Sequence, residues 1–309
     1  MAISTAKPNR SGLRPATIAL PVLLFVALSF LSPAFLSVQN LSNINGQIAA
    51  LLIVSLGQLV VALIGGIDLS VGATLSLTTT IIVSVSPDLA VVAALLAGVA
   101  VGLVNGIGVT IAGVHPLIMT MASMTFLQGL ALLIHPVPGG TVPDYLGDLA
   151  STSAAGVPAA FFWCVGAVMI ASFLLSTTRF GLRLFAIGAN QASAARNGIA
   201  VKWYSIGCYV ICSVTATVAG IFISARVSSG DATVGAPFAL DSVTAISMGG
   251  VQLAGGTGSV TGVVLGTIAL GLLTNGMNLV GISPFLRTAA TGMLLLLAIS
   301  MQRRNVIGV

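Results

Sequence analysis

The sequence predicts an all-α, polytopic membrane protein of about ten transmembrane helices, and three observations carry that expectation. Hydrophobic residues make up 57% of the 309-residue chain and charged residues only 6%, against roughly a quarter charged in soluble proteins, and the mean hydropathy is +1.12. No Lys, Arg, Asp or Glu occurs between Arg14 and Asp68, between Asp88 and Asp144, or between Asp241 and Arg287. Each of those intervals has room for one or two spans of about 20 residues. The basic residues gather in three clusters, Lys7 to Arg14, Arg179 to Lys202 and Arg303 to Arg304, and an even number of crossings places all three on one side, the cytoplasmic side by the positive-inside bias.

The chain reads as a single transmembrane domain, 1–309, preceded by a cytoplasmic tail over 1–15. The first span runs from Ala16 to Phe35, with Pro21 near its start, where proline costs least. A polar connection, Ser37 to Asn45, leads to a second apolar stretch, Gln47 to Ile64, which ends at the pair Gly65 and Gly66. Val71 to Val85 is a short third span, closed by the turn residues Ser86, Pro87 and Asp88. The fourth, Leu89 to Ile111, carries Gly98, Gly102 and Gly106 four residues apart, a spacing that lets another helix approach one face closely. The fifth begins at Pro116 and ends at Ile134. The stretch from His135 to Pro158 is rich in Pro and Gly, and it holds Asp144 and Asp148 but no base, which places it outside. The sixth span, Ala159 to Leu175, returns the chain to the basic segment 179–202. Spans seven to ten follow at Trp203 to Ser224, Phe238 to Leu253 (a weak segment broken by Gly249 and Gly250), Val260 to Met277 and Pro284 to Met301.

Two stretches recur in the same order with different spacing. ALIGGIDLSVG at Ala62 to Gly72 is matched by AISMGGVQLAGG at Ala245 to Gly256, and GLVNGIGVTIAGVHP at Gly102 to Pro116 by GLLTNGMNLVGISP at Gly271 to Pro284. Two degenerate repeats with broken helices are a common plan for transporters, in which solute passes where the breaks meet. Asp68 and Ser70 follow the first glycine pair. A charge at membrane depth is costly unless it meets water, a polar partner or a helix end, so Asp68 either caps the helix beginning at Val71 or lines a path. Asn105 and Asn275 can each line a path for a hydroxyl-rich solute or tie two helices together. Met124 and Phe126 are candidate gate residues.

Other chemistry finds no support in the pattern. His115 and His135 have no acidic cluster at ligand spacing, so no metal site is expected. A phosphate loop ending in GK[ST] and a GxSxG nucleophile elbow do not occur. Cys164, Cys208 and Cys212 lie in or beside apolar runs and read as small buried hydrophobes. The net charge of +5 comes from clusters beside apolar segments, so the expected partner is a lipid bilayer and not a nucleic acid. Within 179–202, Ala186 to Ile199 reads as two short helical pieces separated by Gly188 and Asn190. Ala192, Ala194 and Ala195 form a small-residue surface able to dock on a soluble partner, with Arg183, Arg196 and Lys202 at its edge.

GGIDLSVG at Gly65 to Gly72, the NG pairs at Asn105 and Asn275, AIGANQASAARNGI at Ala186 to Ile199 and MGGVQLAGGTGSVTGVVLG at Met248 to Gly266 together resemble the membrane permease family of bacterial ABC importers for ribose and related monosaccharides. The resemblance covers nearly the whole chain. It implies a permease of the bacterial inner membrane, working with a cytoplasmic ABC ATPase, a periplasmic solute-binding protein and a second permease copy or close relative. ATP and Mg²⁺ would be bound by the ATPase, with no cofactor in this chain. It also implies that 179–202 is the ATPase-coupling segment, with Gly181, Arg183, Ala186, Gly188, Asn190, Ala194, Ala195 and Gly198 as its core. Gly65, Gly66, Asp68, Ser70, Asn105, Gly249, Gly250 and Asn275 become candidates for the path or its broken helices. Gln252 and Ala254 depart from commoner versions of the second broken segment. A polyol, a nucleoside or a sugar-derived signal is an alternative cargo, and a non-transporting membrane scaffold the alternative of a different class.

Overall fold

In lipid the main chain must satisfy its own hydrogen bonds, so apolar runs become helices. The computed structural model describes residues 15–151, 153–154 and 156–300. In chain order the helices are α1 (Pro15–Leu31), α2 (Val38–Leu63), α3 (Val71–Ser84), α4 (Pro87–Thr110), α5 (Pro116–Ile134), α6 (Asp144–Ser151), α7 (Ala159–Ser176), α8 (Arg179–Ala189), α9 (Gln191–Arg196), α10 (Val201–Val227), α11 (Phe238–Met248), α12 (Val260–Leu279) and α13 (Pro284–Ser300). Between α6 and α7, β1 (Ser153–Ala154) and β2 (Val157–Pro158) form a small antiparallel pair. The basic clusters at Lys7 to Arg14 and Arg303 to Arg304, and all but Pro15 of the expected tail, lie outside the described residues.

Six of these helices, α2, α4, α5, α7, α10 and α12, are long and apolar enough to cross a membrane. That corrects the expectation of ten clear spans. With 14 and 11 residues, α3 and α11 reach only about 21 and 17 Å at 1.5 Å per residue, short of the roughly 30 Å hydrocarbon layer. The physical reason is visible in the sequence: glycine-bearing turns at 64–70 and 249–259 take up length that a continuous helix would have used. The start of α2 is a second correction. Ser37 to Asn45, expected as a polar connection, forms its cap and first turns: the Ser37 hydroxyl accepts from the Asn40 amide at 3.3 Å. The stretch from His135 to Pro158 also contains a helix, α6, that packs on α10.

Burial separates a centre from a periphery. The apolar window of α2 is 89% buried and that of α10 67%, whereas α5 and α7 are each 17% buried. α10 packs on α2, α3 and α4, and α2 also meets α7, α11 and α12, while α1 lies on α12 and α13 on α11. The glycine row of α4 faces α10, where a Cβ at Gly102 would strike the main chain of Tyr209 and Val210. Cys208 and Cys212 are buried in the central cluster, and Cys164 packs partly buried against it. At one end of the bundle Gly139 and Gly230 exchange main-chain hydrogen bonds of 3.0 and 2.8 Å, over the last turn of α3. At the other end the turns after α2 and α11 meet the end of α8.

Candidate functional site

The first break is a helix terminus stitched by buried side chains. α2 stops because Gly65 takes φ +79°, which lets its amide reach the Ala62 carbonyl (3.0 Å) and that of Gly66 reach Val61 (3.1 Å), a glycine-terminated helix end. With its carboxamide oriented to match donors to acceptors, Gln58 clamps the main chain of Asp68, its nitrogen donating to the Asp68 carbonyl and its oxygen accepting from the Asp68 amide, both at 3.1 Å. Asp68 is fully buried. Its Oδ1 accepts from the Ser70 amide at 2.9 Å and from the Ser70 hydroxyl at 2.6 Å. Asn105 of α4 donates to the Ser70 oxygen at 2.8 Å and accepts from Ser123 of α5 at 2.5 Å. Through Ser70 and Asn105 the carboxylate is linked to the start of α3, the last turns of α4 and the middle of α5.

The second break has the same kind of terminus in different material. Gly250, at φ +81°, donates to Ser247 at 3.0 Å and Val251 donates to Ile246 at 3.0 Å. The turn beyond is shaped by main-chain bonds: Gln252 to Thr257 at 3.0 Å, Gly255 to Gln252 at 3.1 Å, and Gly256 to the Leu63 carbonyl at 2.9 Å. The last of these joins the two breaks directly. Gly249 sits against Gly262 of α12, where a Cβ would strike the main chain.

Within the segment 179–202, α8 lies against both breaks. Thr178 caps α8 by accepting from the Gly181 amide at 3.3 Å, and Asn190 caps α9 by accepting from Ser193 at 2.8 Å. Gly181 is buried against the end of α7. Gly188 falls within α8, and Asn190 alone makes the division from α9, where two breaking residues were expected. Arg183 donates to the Tyr204 hydroxyl and lies 5.3 Å from the centre of its ring, so it fastens α8 to α10. Ala186, Asn190 and Ala195 are exposed, while Ala194 is buried. Gly198 ends α9 at φ +78°.

Not every candidate is brought together. Asn275 of α12 exchanges hydrogen bonds with Asn40 of α2, at 2.8 Å one way and 3.2 Å the other. Asn40 lies in the first turn of α2 and the break follows its last, so the length of α2 separates Asn275 from Asp68. Met124 and Phe126 are two apart on α5 and face different ways: Met124 packs with Ala73 and Leu77, while Phe126 is 70% exposed. Ser123 and Tyr209 were not singled out from sequence. Ser123 is one of three hydroxyls in α5, with Thr120 and Thr125, and no local signal marks it among them.

A cavity of about 470 Å³ opens between the first break and the segment 179–202, lined among others by Gly65, Gly66, Thr110, His115, Gln191, Lys202, Ser205 and Tyr209. It offers donors and one cationic side chain. Tyr209 lines it, and the Tyr209 hydroxyl and the buried Asp68 Oδ2 have no hydrogen-bond partner among the described residues. No group of three or more His, Cys, Asp or Glu able to hold a metal occurs among those residues.

Residues 40–299 match the family described as branched-chain amino acid transport system / permease component. The chain is 36% identical over 299 residues to the ribose import permease protein RbsC of Escherichia coli (strain K12), covering 93% of this chain and 92% of that one. It is 32% identical to the L-arabinose transport system permease protein AraH of the same organism, covering 91% and 87%. With the D-allose transport system permease protein AlsC, also of that organism, it shares 30% identity over 88% and 86% of the two chains. No solved structure matches.

Proposed function

We propose a function from one premise: this chain belongs to the family of permease components described as branched-chain amino acid transport system / permease component. It is closely related to RbsC-type permeases of sugar importers, and its work is passage through the membrane, with ATP hydrolysis in another subunit. Within that class the proposed cargo is a monosaccharide, ribose or a related pentose. The observation that carries this reading is the 36% identity with a ribose import permease across 93% of the chain. The similarity to an allose and an arabinose permease supports a monosaccharide more broadly.

The site's chemistry fits such a cargo. A hydroxyl both donates and accepts, so a sugar can satisfy the free carboxylate oxygen of Asp68 and the Tyr209 phenol without bringing a charge of its own. In this reading Asp68 holds the first break with Oδ1 and offers Oδ2 to the path, and the cavity beside Lys202 is the cytoplasmic end of that path. The exposed face of α8 and α9 docks on the ATPase, a periplasmic binding protein delivers solute at the opposite end, and a second permease copy completes the assembly. The four shorter apolar helices, extended by their turns, complete ten passes in the inner membrane, which leaves both termini in the cytoplasm.

The test is uptake by vesicles holding this chain with its cognate ATPase, supplied with the cognate binding protein. ATP-dependent accumulation of radiolabelled ribose, competed by unlabelled ribose and not by leucine, is the expected outcome. Uptake of leucine with no response to ribose, arabinose or allose would overturn the sugar reading.

A further inference from the structure

We infer that the coupling segment moves both breaks together, through a seam of bare main chain in which Gly188 is wedged between the end of α2 and Gly256. The inference rests on the proposed role of 179–202 as the ATPase-coupling segment and adds the route by which its motion reaches the path. A Cβ on Gly188 would strike the Leu63 carbonyl and the Gly256 amide, and would lie 2.9 Å from the Gly256 Cα. One on Gly255 would lie 2.9 Å from the Gly65 nitrogen and 3.2 Å from the Gly188 oxygen. The Gly256 amide closes the triangle with its 2.9 Å bond to Leu63. Three segments from distant parts of the sequence therefore touch without an intervening side chain.

The absence of side chains is what makes this contact a transmitter. Packed main chain does not yield by changing rotamer, so a displacement on one side appears on the other. The opposite side of α8 is fastened to α10 through Arg183 and Tyr204. A push on the exposed face of α8 and α9 is thereby borne by the seam, and both breaks receive it at once.

The experiment uses the assembled transporter with its ATPase. Hydrogen exchange is followed at 64–70 and 249–258 with and without a non-hydrolysable ATP analogue, in wild type, in Gly188→Ala and in Gly166→Ala, a control where an added methyl meets nothing within 4 Å. Both loops are expected to change protection together in wild type and in the control. In Gly188→Ala neither loop should respond, ATPase activity should persist, and uptake should fall roughly tenfold at unchanged membrane level, within the usual range of coupling between sites. A wild-type response confined to one loop overturns the inference without any variant, and so does a wild-type pattern in a well-inserted Gly188→Ala. Failure of the chain to assemble with the ATPase instead removes the coupling reading on which the seam rests, and it is seen separately in the purification.

Discussion

Where α2 stops, a buried carboxylate, a glutamine, a serine and an asparagine fix the turn; where α11 stops, the turn is drawn by main-chain hydrogen bonds between glycines and their neighbours. Both helices end in the same geometry, a residue at positive φ whose neighbours bond back to the last turn. Beyond that point they differ in what holds them. The first break is anchored to α3, α4 and α5 through Asp68, Ser70, Asn105 and Ser123, so it is referred to one half of the bundle. The second is moulded on the first by the Gly256 to Leu63 bond and by contact with α8. The contrast teaches that one break sets position and the other follows it. A side-chain network places the first break, whereas close main-chain contact places the second against it.

The sharpest way to break this contrast is Gly256→Val. Gly256 has φ +76°, and an added Cβ would lie 3.0 Å from the Ala189 nitrogen. A β-branched residue at positive φ is strained and the seam is already close-packed, so the expected loss is about 3 kcal/mol, read as a drop in the melting temperature of detergent-solubilised protein. A neutral result would mean that the second break is looser than its contacts imply.

Asp68→Ala is the next largest. It leaves the Ser70 amide and hydroxyl without their buried acceptor, a cost of about 2 kcal/mol, offset in part by the relief of a buried carboxylate. Asp68→Asn keeps an oxygen at Oδ1 and should recover most of the melting temperature. If the proposed path role of Oδ2 is right, uptake by the Asn variant stays impaired or changes its sugar preference although the fold is restored. Recovery of both stability and wild-type transport would confine Asp68 to the structural role.

The sequence shows helix positions well, because uninterrupted apolar runs leave the chain few alternatives. It also exposes Asp68, since a lone acid between apolar stretches demands a partner. What it hides is which partners are chosen. The two NG stretches look alike in sequence, yet Asn105 joins the first break and Asn275 joins α2 at its far end. The unequal spacing noted in the sequence has a physical meaning here: the first copy contains α3 between its two motifs and the second has only the turn 249–259. A missing helix reverses the direction of those that follow, and the second NG therefore arrives at the opposite end of the bundle. The glycine pairs slip as well, for the positive φ falls on Gly65, the first of its pair, but on Gly250, the second of its own. Gly188 reads as part of a docking surface, and only tertiary packing shows it turned inward.

That divergence supplies the smallest and most discriminating prediction. Asn40 and Asn275 satisfy each other in a reciprocal pair, with one further bond from Asn40 to the Phe35 carbonyl at 2.9 Å. Replacing Asn275 alone with Leu leaves the buried Asn40 oxygen without its donor and its nitrogen with the Phe35 carbonyl alone, at a cost of about 1 to 2 kcal/mol. Replacing both with Leu removes the donors and acceptors of the pair together and leaves only the Phe35 carbonyl without its donor, so the double variant loses less than the single one. The double variant should therefore melt nearer to wild type than the single one, with sugar uptake unchanged. The same treatment of Asn105 cannot be compensated at one position, because its amide serves Ser70 and Ser123 on two different helices. Asn105→Leu combined with Ser123→Ala should still be destabilised by about 1 kcal/mol, because the buried Ser70 oxygen loses its donor although its hydroxyl still donates to Asp68. If the Asn40/Asn275 double variant instead lost transport at full stability, Asn275 would belong to the path after all, and the two ends of α2 would have to be read as parts of one route.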